Sequence, residues 1–198
     1  MIKQSEIKYN RLIETASKLF IEYGYKNITL DEIAKEAGIS KMTIYKHFNS
    51  KEELFLEVLM SLMAIHTNYL EEQLKTKNGT IEKIDYILTH SLEASQDYSM
   101  AFYKDVMTIP LITEKVMAEK LRAIKKIYGD IIREGVEKGE IRNLNVEFAI
   151  DMLSMIVESF SEKFACKINS QEEVQSFAED FYDFLKYGLF GNGGGKVD

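Results

Sequence analysis

Leu12, Ala16, Leu19, Phe20 and Tyr23 fall on one face of a helix, and Gly24 stands where a C-cap glycine would end it. Thr29, Leu30, Asp31 and Glu32 then give a capping-box signature: the threonine hydroxyl accepts from a first-turn amide while the glutamate reaches back. The spacing predicts a second, short helix from Leu30 to Ala37, broken by Gly38. Ser40 is placed to cap a third, from Lys41 to His47. Ser50 to Glu53 is another capping box. It opens a long fourth helix with two adjacent stripes, Leu54/Val58/Leu62/Ile65/Tyr69 and Phe55/Leu59/Met63/His66/Leu70.

The same period continues to residue 189. Asn78, Gly79 and Thr80 precede a fifth helix with Ile81, Ile84, Leu88, Ser91, Leu92 and Ser95 on one face. A short sixth, around Met100 to Met107, ends before Pro110. The seventh turns Met117, Leu121, Ile124, Tyr128 and Ile131 inward, and Gly135 and Gly139 weaken its end. Asn145 caps an eighth, with Phe148, Met152, Met155, Ile156, Ser159 and Phe160 on one side. Ser170 to Glu173 is a third capping box, opening a last helix with Val174, Phe177, Phe181, Phe184, Leu185 and Leu189. The expected fold class is all-α, with about nine helices. Residues 1–50 form a three-helix head, residues 51–190 a helical body, and residues 191–198, rich in glycine, a tail with nothing to bury.

Composition agrees. A single Pro and 11 Gly in 198 residues leave little turn chemistry for a sheet protein, and 45% hydrophobic residues suffice for a substantial core. No secretory signal and no membrane-spanning run is evident, so the expected location is cytoplasmic. One cysteine, Cys166, cannot pair internally, and no Cys/His spacing suits a metal. No local triad or Gly-rich phosphate loop suggests an enzyme, and no cofactor is implied.

Charge changes the picture more. The net charge is −7, but residues 1–51 hold 9 Lys and Arg against 6 Asp and Glu, whereas the remainder holds 16 against 26. The basic character lies in the head, as an anion-facing surface would require.

The second and third helices, joined through Gly38, have the size of a helix-turn-helix, whose second helix enters the DNA major groove. Ile33, Ala34, Ile39, Ile44 and Phe48 supply its apolar seam. Lys41, Met42, Thr43, Tyr45, Lys46 and His47 are left to divide between groove, backbone and core. Lys41, Thr43, Tyr45 and Lys46 suit phosphates and base edges, and Met42 a thymine methyl. Tyr45 suits core and groove about equally. Thr29 and Lys51 sit at helix starts that favour an anion and are assigned to phosphate.

At these positions the chain resembles the tetracycline-repressor-like (TetR) family of bacterial transcription regulators. The resemblance covers residues 10–54 and rests on Phe20, Gly24, Thr29, Ile33, Ala34, Ala37, Gly38, Ser40, Thr43, Tyr45, Phe48, Lys51 and Leu54. Where members commonly carry glycine, this chain has Met42. The resemblance implies that Thr29, Thr43, Tyr45, His47 and Lys51 contact phosphates or bases. It also implies that residues 52 onward form an effector-binding and dimerisation domain.

In that body, polar residues beside apolar stripes are the candidates for holding a small-molecule effector: His66, Tyr69, His90, Glu93, Tyr98, Tyr103 and Glu158. His90 also suits a plain surface position, and Cys166 an unreactive semi-buried thiol. Phe177, Phe181, Phe184 and Leu185, facing Met152, Met155, Ile156 and Phe160, suit a four-helix bundle made with a second copy. The alternative is packing against the chain's own body. Together these readings predict a homodimeric regulator, a repressor released from a palindromic double-stranded DNA operator by a small apolar or amphipathic effector. An adaptor with a filled body and no effector is the competing expectation.

Overall fold

The computed structural model describes residues 4–163 and 170–184. Among these residues the protein is all-helical, with no strand. In chain order the helices are α1 (Gln4–Tyr23), α2 (Leu30–Glu36), α3 (Lys41–Tyr45), α4 (Lys51–Leu74) and α5 (Thr80–Ser95), followed by α6 (Met100–Thr108), α7 (Pro110–Glu137), α8 (Val146–Lys163) and α9 (Gln171–Asp183). The expected tail, Leu185 and Leu189, and Cys166 lie outside the described residues. The chain divides into two compact units: one runs to His66 and adds Asp97–Val116, the other holds Thr67–Gln96 and the chain from Met117.

In the first unit Leu12, Ala16 and Phe20 of α1 are buried, as their spacing requires. They share one apolar cluster with Ile33 and Ala34 of α2, Ile44 of α3, Leu54, Phe55 and Val58 of α4, Phe102 and Val106 of α6, and Ile112 and Val116 of α7. Phe55 is its hub, with ring centroids 5.0 Å from Phe20, 5.1 Å from Tyr25 and 5.9 Å from Phe102. Burying side chains of this size stabilises the fold by about 1.5–3 kcal/mol each. This cluster extends well past residue 50.

The turns follow the caps. Gly24 ends α1 at φ 82°, its amide donating to the Phe20 carbonyl at 2.8 Å. A Cβ there would stand 2.8 Å from Ala101 Cβ and 2.9 Å from Asp105 Oδ2, so both handedness and close approach demand glycine. The Thr29 box forms in both directions: Glu32 N–H donates to Thr29 Oγ1 at 3.2 Å, and Thr29 N–H to Glu32 Oε2 at 2.7 Å. The Ser50 box does not close as expected. Glu53 N–H donates to Ser50 Oγ at 3.1 Å, but the Glu53 carboxylate takes the Asn49 backbone and side-chain amides at 2.6 and 2.9 Å. Two donors from one residue outcompete the single Ser50 amide.

Two short helices end earlier than the pattern predicts. Ala37 is the C-cap of α2 rather than its last residue. In α3 the bonding tightens at Tyr45: Lys46 N–H reaches Met42 O at 3.2 Å, but His47 N–H reaches Ile44 O at 2.9 Å, which leaves His47 in a turn.

In the second unit Leu70, Leu74, Ile84, Ile87, Ile127 and Ile131 form one cluster, and Ile132 with Leu153 another. Several expected inward positions are corrected. Ile65 and Tyr69 of α4 and Ile81 of α5 are exposed, while Ile87 is buried. On α7 the expected inward positions hold at Ile131, which is buried, and at Ile124 and Tyr128, which are half-buried and packed on the Ile132 and Leu153 cluster. Met117 and Leu121 are half-buried, and Ile112, Val116, Ile127 and Ile132 are buried besides. The amino-terminal part of α7 serves the first unit's core and its carboxyl-terminal part the second's. Pro110 opens α7, where its missing N–H costs nothing. Gly135 does not weaken that helix: it lies inside it, and a Cβ would meet Thr80 Oγ1 at 2.6 Å and Ile141 Cδ1 at 2.8 Å. The N-cap of α5, Gly79, has no side chain, and the cap comes from afar. Glu140 Oε2 accepts from Thr80 N–H at 2.7 Å, and Lys83 forms an ion pair with Glu134.

Candidate functional site

The helix-turn-helix is built by α2, a turn at Gly38 and α3. Gly38, at φ 64°, lets the chain reverse so that Ile39 N–H reaches the Ala34 carbonyl at 2.9 Å. Ile33, Ala34, Ile44 and Phe48 are buried and Ile39 partly so, which fills the expected seam. The residues between them turn outward. Met42 is 71% exposed and Tyr45 50% exposed, and Lys41, Lys46 and His47 are exposed as well.

Not every assigned side chain stands free. The Thr29 hydroxyl lies 2.7 Å from Glu32 Oε2, and hydrogen bonds from Thr29 hold the Glu32 carboxyl below its usual range. Thr43 Oγ1 and Ser40 Oγ are 2.9 Å apart, and Ser40 Oγ accepts from Thr43 N–H at 3.2 Å. Lys41 Nζ is paired with Asp31 at 2.7 Å, and that hydrogen bond raises its pKa. Lys51 is different. Its Nζ sits 4.2 Å from the centroid of the Tyr25 ring, and no ion pair to it is formed among the described residues. Partial burial pushes its pKa down, against the opposing pull of Asp105 and Glu32.

Three further residues position this surface. Tyr9 of α1 donates its hydroxyl to Glu57 at 2.9 Å and sets its ring edge-on to His47 at 5.2 Å and stacked on Phe48 at 6.1 Å. Tyr25 stacks on Phe55, and the next residue, Lys26, is bound to Asp105 of α6. Sequence reasoning passed over all three. Tyr25 lies in a turn without periodicity, Tyr9 precedes the α1 stripe, and only Asp105 carried a signal: an acid within a turn of Phe102 and Val106.

The residues assigned to an effector fall in both units. In the first, Tyr98 lies 5.1 Å from Phe102 and 5.9 Å from Tyr103, its pKa raised by burial; His66 is half-buried. In the second, Tyr69 and His90 are 4.8 Å apart, joined by Tyr86, which stacks on His90 at 5.7 Å and donates to the Tyr69 hydroxyl at 3.3 Å. That hydrogen bond, with burial, pushes the Tyr86 pKa up to about 12. Tyr86 was missed, although it stands four residues before His90 on one helix face. Glu93 and Glu158 are exposed.

Of the residues assigned to a second copy, Met152 and Met155 are exposed beside Phe148, Ile156 is half-buried, and Phe184 is exposed. Phe177 and Phe181 stack at 6.2 Å, and Phe181 packs on the Ile132 and Leu153 cluster of its own chain. The Phe160 side chain and Leu185 lie outside the described residues.

Comparison with known proteins fits this geometry. Residues 12–58 match the profile of bacterial regulatory proteins of the tetR family. The chain is 28% identical over 156 residues to the fatty acid metabolism regulator protein of Bacillus subtilis (strain 168), covering 77% of this chain and 80% of that one. It shares a fold with the crystal structure of the Bacillus subtilis regulator FadR in complex with stearoyl-CoA, with a TM-score of 0.66 at 22% identity over 91% of this chain and 98% of that one. It shares it also with the TetR family regulator CifR, a cysteine mutant bound to operator DNA, with a TM-score of 0.62 at 18% identity over 87% and 94%. No helix among the described residues is long and apolar enough to cross a membrane. A tetR-type helix-turn-helix presented on an all-helical chain, with regulators as its relatives, places this protein in the tetR family of bacterial regulatory proteins, as a DNA-binding regulator of transcription.

Proposed function

We propose that the protein is a cytoplasmic homodimeric repressor that leaves a palindromic operator when a small apolar or amphipathic effector binds its body. Residues 1–50 are the DNA-binding domain and residues 51–190 the effector and dimerisation domain. Lys41, Met42, Thr43, Tyr45, Lys46 and His47 face the groove and its edges, and Thr29 and Lys51 face phosphate. It acts by binding alone, without catalysis. The observation that carries this reading is the exposure of Met42, Tyr45 and Lys46 on a capped helix whose other face is buried.

Two copies are needed because one α3 reads only a few base pairs, and a dimer reads two half-sites about 34–36 Å apart or a multiple of that. The exposed Phe148, Met152 and Met155 of α8 and Phe184 of α9 supply the second copy's contact. The fatty acid regulator among the relatives, and the stearoyl-CoA in a fold neighbour, support an acyl chain as the effector's apolar part. Its candidate polar anchors are His66, Tyr98 and Tyr103 in the first unit and Tyr69, His90, Glu93 and Glu158 in the second, each set taken by itself. An effector shifts the protein only if it binds the released shape more tightly than the DNA-bound one.

Selection of bound duplexes from a random DNA library, with and without long-chain acyl-CoA, tests this. The expected result is an enriched inverted repeat, lost when the effector is added. An enriched site without inverted symmetry would overturn the dimer, and no enrichment in effector-free protein would overturn the DNA assignment.

A further inference from the structure

Lys51 is a residue assigned to phosphate whose ammonium lies over a ring. We propose that Tyr25 is a positioning residue for DNA binding, its aromatic face pre-orienting the Lys51 ammonium toward phosphate without an ion pair that DNA would have to break.

The geometry is specific. Lys51 Nζ lies 4.2 Å from the Tyr25 centroid, within the range in which a ring quadrupole attracts an ammonium. The ring itself is fixed. It stacks on Phe55 at 5.1 Å, and the following residue is tied to α6 through Lys26 N–H to Asp105 Oδ2 at 3.1 Å and Lys26 Nζ to Asp105 Oδ1 at 3.2 Å. A free lysine on a protein surface gives up much rotamer entropy when it takes hold of a phosphate. One already laid across a ring has given most of it up on folding.

The kind of partner matters. Lys41 is held by the Asp31 carboxylate at 2.7 Å, so it must exchange one anion for another before it can grip DNA. A ring satisfies the ammonium on one side and competes for none of its hydrogen bonds on the other. Partial burial lowers the Lys51 pKa, and the nearby Asp105 and Glu32 carboxylates oppose that.

The inference rests on Lys51 being a phosphate ligand, and the test separates the two. Operator affinity of the full chain is measured across salt for Lys51→Ala, Tyr25→Leu, Tyr25→Phe and the double variant Lys51→Ala/Tyr25→Leu. Lys51→Ala is expected to lower the salt slope by about 0.9, the value of one phosphate contact. An unchanged slope overturns the phosphate reading itself. Tyr25→Leu is expected to weaken binding about 2- to 5-fold with the slope kept, Tyr25→Phe to restore it, and Tyr25→Leu to cost nothing further once Lys51 is alanine. An equal loss in both backgrounds would make Tyr25 a packing residue only and overturn the proposal. Should Tyr25→Leu fail to fold, the wild-type chain still decides. The Lys51 ε-methylene protons, identified by their absence in Lys51→Ala, must show an upfield ring-current shift in the DNA-free protein; ordinary shifts overturn the proposal.

Discussion

Asp105 of α6 grips Lys26 of the α1–α2 turn twice, accepting its backbone amide at 3.1 Å and pairing with its ammonium at 3.2 Å, from a position only 3% exposed. A buried carboxylate is tolerated because both its oxygens are engaged. Its neighbour Gly24 leaves the space that lets α6 approach.

Removing the acceptor strands the Lys26 amide. Asp105→Ala is expected to destabilise the protein by about 1–3 kcal/mol, and Asp105→Asn, which keeps an acceptor, by less. Gly24→Ala combines a left-handed backbone with a Cβ 2.8 Å from Ala101 Cβ, and about 1–3 kcal/mol is expected there too. Urea denaturation of the three variants checks this; a midpoint for Asp105→Ala equal to wild type would show the double contact to be idle.

The proposed DNA contact of Lys41 has to compete with the Asp31 carboxylate, which pairs with it at 2.7 Å. Asp31→Asn frees the ammonium and removes one negative charge from the head, so affinity for every duplex should rise a fewfold, with a steeper salt dependence. Fluorescence anisotropy at two salt concentrations reads both quantities, and unchanged binding would mean Lys41 stays clear of the backbone.

Met42 and Lys46 point away from the seam and are expected to govern sequence preference. Substituting either should change which bases are enriched in a selection, at about 1–3 kcal/mol per discriminated base pair. A preference unchanged by both substitutions would remove α3 from the groove.

The α8 stripe is open to a charge. Phe148 is 63% exposed and Met155 60% exposed, so Met155→Glu adds little strain to the monomer but places an unpaired charge in an apolar contact. Light scattering should show the variant as a monomer with its helical content intact. A dimer of wild-type affinity would move the interface elsewhere.

Hydrogen bonds from Thr80 hold the Glu140 carboxyl below the ordinary glutamate range. A depressed folded-state pKa contributes stability that is fully present above the unfolded value of about 4.3 and is lost as pH falls through the lower folded value. Glu140→Gln should therefore lower thermal stability at neutral pH and narrow its gap from wild type in acid. Thermal melts at pH 7 and pH 3 check the sign; a gap that widens in acid would contradict it.

Much of this was legible in the chain. The caps at Thr29 and Ser40, the glycines at 24 and 38 and the stripe Leu12, Ala16 and Phe20 are local signals, because a helix start, a left-handed turn and a buried face each need particular residues at fixed offsets. Exposure of Met42 followed once Ile44 and Phe48 were taken for the seam, whereas Tyr45 suited core and groove equally and only the structure turns it outward. The body was read less well. Ile65 and Tyr69 continue the α4 period yet face outward, and Gly135, which looks like a breaker, is a close-packing residue inside α7.

The sequence by itself determined the all-helical fold, the helix-turn-helix and the face α3 presents, since these depend on contacts a few residues apart. Tertiary structure decided that Asp105 ties Lys26, that Lys51 rests on Tyr25 and that Glu140 caps α5 across 60 residues. Those partners are separated by long stretches of chain, and the period of a helix says which face is apolar without saying what will lie against it.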